Sequence, residues 1–192
     1  LRRRPQKPFN ERSHMFYQLI ESRRSVRNFQ EKPVEPEKID TLVEAALRPP
    51  SSKGLNPWEF IIVTERELLE KLSTSKPHGA SFLKHAPLGI VLCGNPQISD
   101  VWVEDCSIAS TYILLAAESL GLGACWIQIR NRSYNETTSA QDYISDTLNI
   151  PAGLLVESII AVGYPDKKKP PHTSEELQFE KVHRNSYGTP YK

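Results

Sequence analysis

The stretch from Val101 to Gln128 constrains the fold more than any other part of the chain. Its segment from Cys106 to Leu120 carries apolar residues on nearly every helical face, and a helix that is apolar all round is normally buried. We expect this helix to end at Gly121 or Gly123, because glycine adopts the left-handed conformation found at helix C-termini. Residues 124–129 then predict a buried strand. A helix, a glycine turn and a strand should therefore form the centre of the fold.

The same stretch could instead span a membrane, which requires ~20 predominantly apolar residues. Acidic and hydroxyl side chains interrupt it, namely Glu104, Asp105, Ser107, Ser110, Thr111, Glu118 and Ser119. We therefore place the helix in a protein core and expect no membrane partner.

Composition excludes several classes of function. A chain of 192 residues suits one domain with a sizeable core. Its net charge of +1 provides no broad electrostatic surface for nucleic acid. Cys93, Cys106 and Cys125 lie in apolar segments without C-x-x-C spacing, which argues against both a zinc site and a disulfide framework. We expect no metal, no nucleic-acid partner, and buried thiols in the reducing cytoplasm.

The single methionine, Met15, follows a basic leader that contains proline and lacks apolar periodicity. We interpret Met15 as the natural start, and residues 1–14 as an expression leader or an unstructured extension. Residues 15–192 should then form one domain with a C-terminal extension. The tail from residue 167 onwards carries basic groups and little apolar surface, so we expect it to pack on something else, a second subunit being one candidate.

Hydrophobic patterns divide the rest of the chain into helices and strands. Apolar residues at helical spacing predict helices at 16–22, 36–47, 65–73 and 139–148. Short apolar runs predict strands at 59–64, 88–93 and 154–163. Taken alone, strands that alternate with helices imply a layered α/β fold with a parallel sheet.

Residues 23–29, RRSVRNF, place three arginines and a serine within five residues. If this segment is extended, Arg23, Ser25 and Arg27 share one face while Val26 points into the core. Guanidinium groups bind phosphate oxygens in pairs, and a serine hydroxyl supplies another donor. The segment is therefore a candidate phosphate site, with a solvated basic turn as the alternative.

A second candidate is the polar loop Pro50–Asn56, which precedes the strand predicted at 59–64. Its proline, two hydroxyls, glycine and amide suit a loop that contacts a ligand, although a simple surface connector is the alternative. His78 and His85 lie in a mixed segment, and we interpret them as solvated.

The sequence shows no acid–base machinery of its own. Leu120–Gly123 fails as a dinucleotide fingerprint because Trp126 occupies the third glycine position. Neither a phosphate-loop motif nor a nucleophile with an adjacent base can be identified. This pattern is typical of a protein whose cofactor carries the chemistry.

Three motifs, in this order, resemble the FMN-dependent nitroreductase family over about residues 16–188. They are RRSVRNF at 23–29, PSS with NPWEF at 50–52 and 56–60, and GLGACW at 121–126. The resemblance implies an α+β sandwich, in which a mixed, mainly antiparallel sheet is flanked by helices, in place of the parallel sheet. It also implies an intertwined homodimer that exchanges a terminal segment and holds two FMN molecules at its interface.

The resemblance further implies which residues hold the flavin. The phosphate and ribityl contacts are Arg23, Arg24 and Ser25, joined from the tail by Lys181 and Arg184. The contacts from the other subunit are Pro50, Ser51, Ser52 and Asn56. The residues that match the loop whose backbone faces the flavin, with an amide directed at N5, are Trp126, Ile127 and Gln128. Arg27 would lie near the N1/O2 edge, where a fixed cation stabilises a reduced flavin.

The activity implied by the resemblance is that of an NAD(P)H-dependent oxidoreductase. NADH or NADPH would pass hydride to flavin N5 and leave. A nitroaromatic, quinone or enone acceptor would then occupy the same place, which is a ping-pong mechanism. The alternatives are a non-catalytic protein that binds, stores or senses FMN, and a flavin-dependent enzyme of the dehalogenase type.

Overall fold

A computed structural model describes residues 11–191, which fall into two units. Most of the predicted leader therefore lies outside the described residues. One unit comprises residues 23–169, and the other comprises the described residues at the two ends of the chain, 11–22 and 170–191. Each is described separately.

The unit of residues 23–169 is built on a four-stranded sheet. Its strands are β1 (Trp58–Val63), β2 (Leu88–Gly94), β3 (Gly123–Gln128) and β4 (Leu155–Gly163). They lie in the order β1-β2-β4-β3, and every neighbouring pair is antiparallel. The α+β prediction is confirmed, whereas the parallel sheet is wrong. Alternating patterns fix the order of elements along the chain, but they do not fix the direction in which each strand crosses the sheet.

Helices cover both faces of this sheet. The helices α2 (Pro36–Leu47) and α4 (Trp102–Ser119) pack on one face, and α3 (Arg66–Ser73) and α5 (Ala140–Leu148) pack on the other. The central strands β2 and β4 are almost entirely buried, as their apolar runs predict. Each fully buried Leu or Ile side chain stabilises such a core by about 1.5–3 kcal/mol. All three cysteines are buried and unpaired.

The helix α4 differs from its prediction in two ways. It begins at Trp102, before the predicted Cys106, and it is not buried all round. Ile108 and Tyr112 are 39% and 40% exposed on its outer face. A helix that lies on one face of a sheet has an outer side, and only another layer could cover it. After α4, Gly121 adopts φ +71, so it is the left-handed residue that ends the helix.

Hydrogen bonds join the start of α2 to Leu120 and Tyr164, the residues that follow α4 and β4. We call this group of contacts the polar anchor. The Tyr164 hydroxyl donates to Glu35 Oε2 at 2.6 Å. Lys38 Nζ donates to Tyr164 Oη at 2.6 Å and to the Leu120 carbonyl at 3.2 Å. The hydrogen bond from Tyr164 is the largest cause that holds the pKa of Glu35 at about 2, and Lys32 acts in the same direction.

This anchor predicts a specific dependence of stability on pH. The pKa of Glu35 is about 2 in the folded protein and about 4.3 for an unfolded chain, so the ionised anchor stabilises the fold above pH 4.3. That contribution is lost as the pH falls from 4.3 towards 2. We expect the Tm of the wild type to fall more steeply over this range than that of Glu35→Gln. If the Tm of the wild type and that of Glu35→Gln fell in parallel with pH, a group other than Glu35 would cause the loss of stability.

The second unit contains α1 (Glu11–Ser22), which begins earlier than its prediction and inside the predicted leader. Its C-terminal part has short helical turns at Ser174–Glu176 and Phe179–Lys181 and a bridge between His183 and Pro190. Large apolar side chains are exposed on both parts, among them Phe16, Tyr17, Ile20, Leu177, Val182 and Tyr187. Within residues 11–191, each helix is too short or too polar to cross a bilayer.

Candidate functional site

The arginine segment runs along the outer edge of β3. Ser25 pairs in parallel with Ala124, and the Val26 amide donates to the Ala124 carbonyl at 3.0 Å. Val26 is 8% exposed and belongs to the core, so the predicted extended segment with Val26 inward is correct. A Cβ on Gly123 would lie 2.7 Å from Val26 Cβ. The close approach of this segment to β3 therefore requires glycine at position 123.

The arginine segment lies beside the buried Cys125 of β3, because Ser25 pairs with the neighbouring Ala124. Burial raises the pKa of Cys125, and four neighbouring groups oppose that rise: the Arg27 charge, a hydrogen bond with Ser25, and the charges of Lys169 and Arg23. Lys169 Nζ also donates to the Ser25 carbonyl at 3.1 Å. We call Arg23, Arg27 and Lys169 the cationic cluster. Arg23 and Arg27 were predicted from the sequence, whereas Lys169 was hidden in a lysine run.

The backbone of β3 offers groups at the same edge. Because the Ala124 carbonyl points outward to Val26, alternation along the strand points the backbone groups of Trp126 and Gln128 outward as well. Ile127 has a fully buried side chain, and the same alternation directs its backbone groups towards β4. Of the three residues predicted on this strand, Trp126 and Gln128 can therefore present an amide to a ligand.

Side chains hold the end of β3 in place. Trp126 Nε1 donates to Gln128 Oε1 at 3.0 Å, and Gln128 Nε2 donates to the Arg130 carbonyl at 3.0 Å. Lys76 Nζ donates to the Gln128 carbonyl at 2.8 Å. Burial, and then the charge of Arg132, lower the pKa of Lys76. Sequence reasoning missed Lys76, because a single lysine in an irregular segment carries no periodic signal.

The loop Pro50–Asn56 is ordered by its own polar groups. Ser51 Oγ donates to Asn56 Oδ1 at 2.7 Å and accepts from the Asn56 amide at 2.9 Å. Lys53 and Asn56 adopt positive φ angles of 53° and 46°. The Ser52 amide donates to Asp105 Oδ1 at 2.8 Å. The predicted loop is therefore a fixed structure that presents an exposed Pro50 and half-buried serines.

One chain does not bring this loop and the cationic cluster together. The loop leads into β1, whereas the cluster lies against β3, and these are the two edge strands of the sheet. Sheet neighbours are about 4.8 Å apart, so three spacings separate the edges by about 14 Å. Arg24 lies half-buried in the arginine segment. Lys181 and Arg184 are exposed in the other unit, where Arg184 donates to the Tyr191 carbonyl, and their contact with a flavin stays a prediction.

Other candidate groups lie elsewhere. A cavity of about 460 Å³ contains none of the predicted site residues; it is lined by residues 30–34, 39, 64, 66, 69 and 85–87. His78 and His85 are exposed. Among the residues that the structure describes, no group of His, Cys, Asp and Glu is arranged to hold a metal ion.

Comparison with known proteins identifies the family of this chain. The model of the nitroreductase family matches residues 20–164. An FMN-dependent nitroreductase of Clostridium difficile R20291 has a solved structure that is 46% identical, covers 88% of this chain and 98% of its own, and superposes with a TM-score of 0.87. The chain belongs to the nitroreductase family.

Two further proteins are similar to this chain over most of their length. A protein of Methanothermobacter thermautotrophicus with the provisional name NADH dehydrogenase/NAD(P)H nitroreductase is 37% identical, over 86% of this chain and 84% of that protein. An iodotyrosine deiodinase of Thermotoga neapolitana is 27% identical, over 85% of this chain and 95% of that protein.

Proposed function

We propose that this protein is an FMN-dependent oxidoreductase that uses NADH or NADPH as its reductant. The observation that carries the proposal is the cationic cluster of the arginine segment, which pairs with the outer edge of β3 at Ser25, where Lys169 Nζ lies 3.1 Å from the Ser25 carbonyl. Two guanidinium groups, a lysine and the Ser25 hydroxyl form a donor set that suits a phosphate dianion. The backbone edge next to it offers amides for the polar rim of a flavin ring.

When bound, FMN would supply the redox chemistry, taking hydride from NAD(P)H and giving it to a nitroaromatic, quinone or enone in alternate turns. The residues of the chain bind and orient. Arg23 and Ser25 would hold the phosphate with Arg24, Lys181 and Arg184. Arg27 would place its charge near the N1/O2 edge, and the amide of Trp126 or Gln128 would face N5. A fixed cation favours the reduced flavin because the negative charge of that state is stabilised.

The proposal includes a homodimer in which the loop of one subunit meets the cationic cluster of the other. This arrangement is supported by the separation of β1 from β3, because one chain offers the loop and the cluster at opposite sheet edges. It is also supported by Ile108 and Tyr112 on the outer face of α4, which a second copy would cover. The exposed apolar side chains of the terminal unit would pack on that copy.

We expect Ile108→Glu to dissociate the dimer, because a carboxylate placed in an apolar interface without a partner is strongly disfavoured. Light scattering should give twice the chain mass of 21.8 kDa for the wild type and one chain mass for the variant. Lys71→Glu, at an exposed position of α3 on the other face of the sheet, should stay dimeric. A dimeric Ile108→Glu protein would place the interface elsewhere.

The function is tested by an absorbance spectrum of the purified protein, followed by anaerobic titration with NADH and with NADPH. We expect a flavin spectrum that bleaches on addition of a nucleotide and returns when a nitroaromatic or quinone is added. A flavin that neither nucleotide reduces would favour storage or sensing. A protein that stays colourless after incubation with FMN would refute every flavin-based function.

A second candidate is reductive dehalogenation, which the 27% identical iodotyrosine deiodinase favours. The same reduced protein, mixed with iodotyrosine in the absence of oxygen, would release iodide in proportion to the flavin that is reoxidised. If quinone reoxidises the flavin and iodotyrosine does not, the first candidate stands alone.

A further inference from the structure

Asp105 is a buried carboxylate that no element of the proposed chemistry uses. It lies in the first turn of α4 and is 2% exposed. Its Oδ1 accepts from the Ser52 amide at 2.8 Å, and its Oδ2 accepts from Ser99 Oγ at 3.0 Å. Burying a carboxylate is costly unless hydrogen bonds satisfy it, so these two contacts are what stabilise it there.

The two contacts join three separate pieces of the chain. Ser99 belongs to the turn before α4, and the Val101 amide in turn donates to Ser99 Oγ at 3.3 Å. Ser52 belongs to the loop Pro50–Asn56 and begins its short helical turn. Asp105 therefore fastens the backbone of this loop to the helix that supports one face of the sheet.

The attachment fixes the loop at Ser52, while the hydrogen bonds between Ser51 and Asn56 close the loop. Lys53, which follows Ser52, is held at φ 53°, where a lysine is seldom found. A loop with a residue in that region stays in one conformation only when its surroundings determine it. The Asp105 contact is the buried, charge-assisted part of those surroundings.

We infer that Asp105 is the positioning residue of the flavin-contacting loop, an inference that rests on the proposed function. Asp105 touches the loop backbone, and the loop touches the cofactor of the neighbouring subunit. Ile108, on the outer face that the second copy would cover, follows Asp105 by one helical turn. The helix α4 would therefore contact the second copy and also fix the position of the loop that faces this copy.

The test compares FMN titrations of the full-length wild type, Asp105→Ala, Asp105→Asn and Ser110→Ala. Ser110 is a matched control, because it is buried on the same helix and hydrogen-bonds to Ser158 away from the loop. We expect the Kd for FMN to rise about tenfold in Asp105→Ala and about threefold in Asp105→Asn, since a loop that must be ordered on binding loses affinity. Ser110→Ala should keep the wild-type Kd.

Hydrogen exchange of the Ser52 amide in the FMN-free protein provides the second measurement. Exchange should be fastest in Asp105→Ala, intermediate in Asp105→Asn and unchanged in Ser110→Ala. This order is expected because exchange at Ser52 reports local opening of the loop, whatever each substitution costs in free energy of unfolding. If Asp105→Ala does not fold, Asp105→Asn decides the matter by the same two measurements. Wild-type Kd and wild-type Ser52 exchange in the folded variant would overturn the inference.

The outcome also separates this inference from the proposed function. A wild type that does not bind FMN would overturn the proposed function and the role of the loop with it. A wild type that binds FMN, beside an Asp105→Ala protein that binds it equally well, would overturn the positioning role alone. Equal loss of FMN affinity in Ser110→Ala would show that general destabilisation of α4 is responsible, which also overturns it.

Discussion

Replacing Arg23 and Arg27 together by alanine is expected to release FMN almost completely. Each charge-assisted hydrogen bond is worth about 1.5–3 kcal/mol, so the loss of two would raise the Kd by roughly 10²–10⁴-fold. The structure supports a joint effect, because both arginines lie on the same short segment, which pairs with β3 at Ser25. Fluorescence titration of FMN, which is quenched on binding to protein, measures the change.

The control for this double variant removes the same charge from another place. Arg48 is exposed at the end of α2, where it pairs with Glu44, and Lys71 is exposed on α3. Arg48→Ala/Lys71→Ala should bind FMN like the wild type. If both double variants lost affinity equally, net charge would explain the result. If neither did, the phosphate would have to lie outside the cationic cluster.

The arginine segment could be predicted from the sequence because its pattern is local. Period-two alternation around Val26 decides which side chains face inward, and the structure confirms that Val26 is buried while Ser25 pairs with β3. The helix α2 was predicted with its observed bounds for the same reason, since Pro36 and the apolar stripe define it without help from distant residues.

Other parts of the site depend on contacts that no local pattern encodes. Lys76 and Asp105 matter because each reaches a backbone group more than fifty positions away, Gln128 and Ser52 respectively. The direction of each strand is equally non-local, which is why the strand pattern alone suggested a parallel sheet. The family resemblance groups Ile127 with Trp126 and Gln128, whereas the pairing with β4 shows which backbone groups point outward.

The outer face of α4 shows how an error of prediction can itself be informative. A helix with apolar residues all round was expected inside the core, yet Ile108 and Tyr112 are exposed in a single chain. Apolar residues on an exposed face are typical of a surface that another molecule covers. The prediction that α4 is buried all round is wrong for one chain, and we propose that a second copy supplies the missing layer.

Gly123→Ala is expected to damage the fold and the proposed flavin site together. Its Cβ would lie 2.7 Å from Val26 Cβ and Cγ2, so the arginine segment would have to move away from β3. Such overpacking costs about 1–3 kcal/mol of folding free energy, measured by urea unfolding. Because Val26 carries Ser25 and Arg27 on either side, the same displacement should weaken FMN binding at least tenfold (~1.4 kcal/mol).

Gly121→Ala is the matched control in the same turn. Gly121 has φ +71, and no atom lies within 4 Å of the place that an added methyl group would occupy, so alanine there strains the backbone without touching the arginine segment. It should cost about 1 kcal/mol of stability and leave FMN affinity unchanged. If Gly123→Ala lost stability but kept wild-type affinity, contact between the arginine segment and β3 would not be what arranges the phosphate donors. Loss of affinity in the Gly123 variant alone would instead tie flavin binding to that contact.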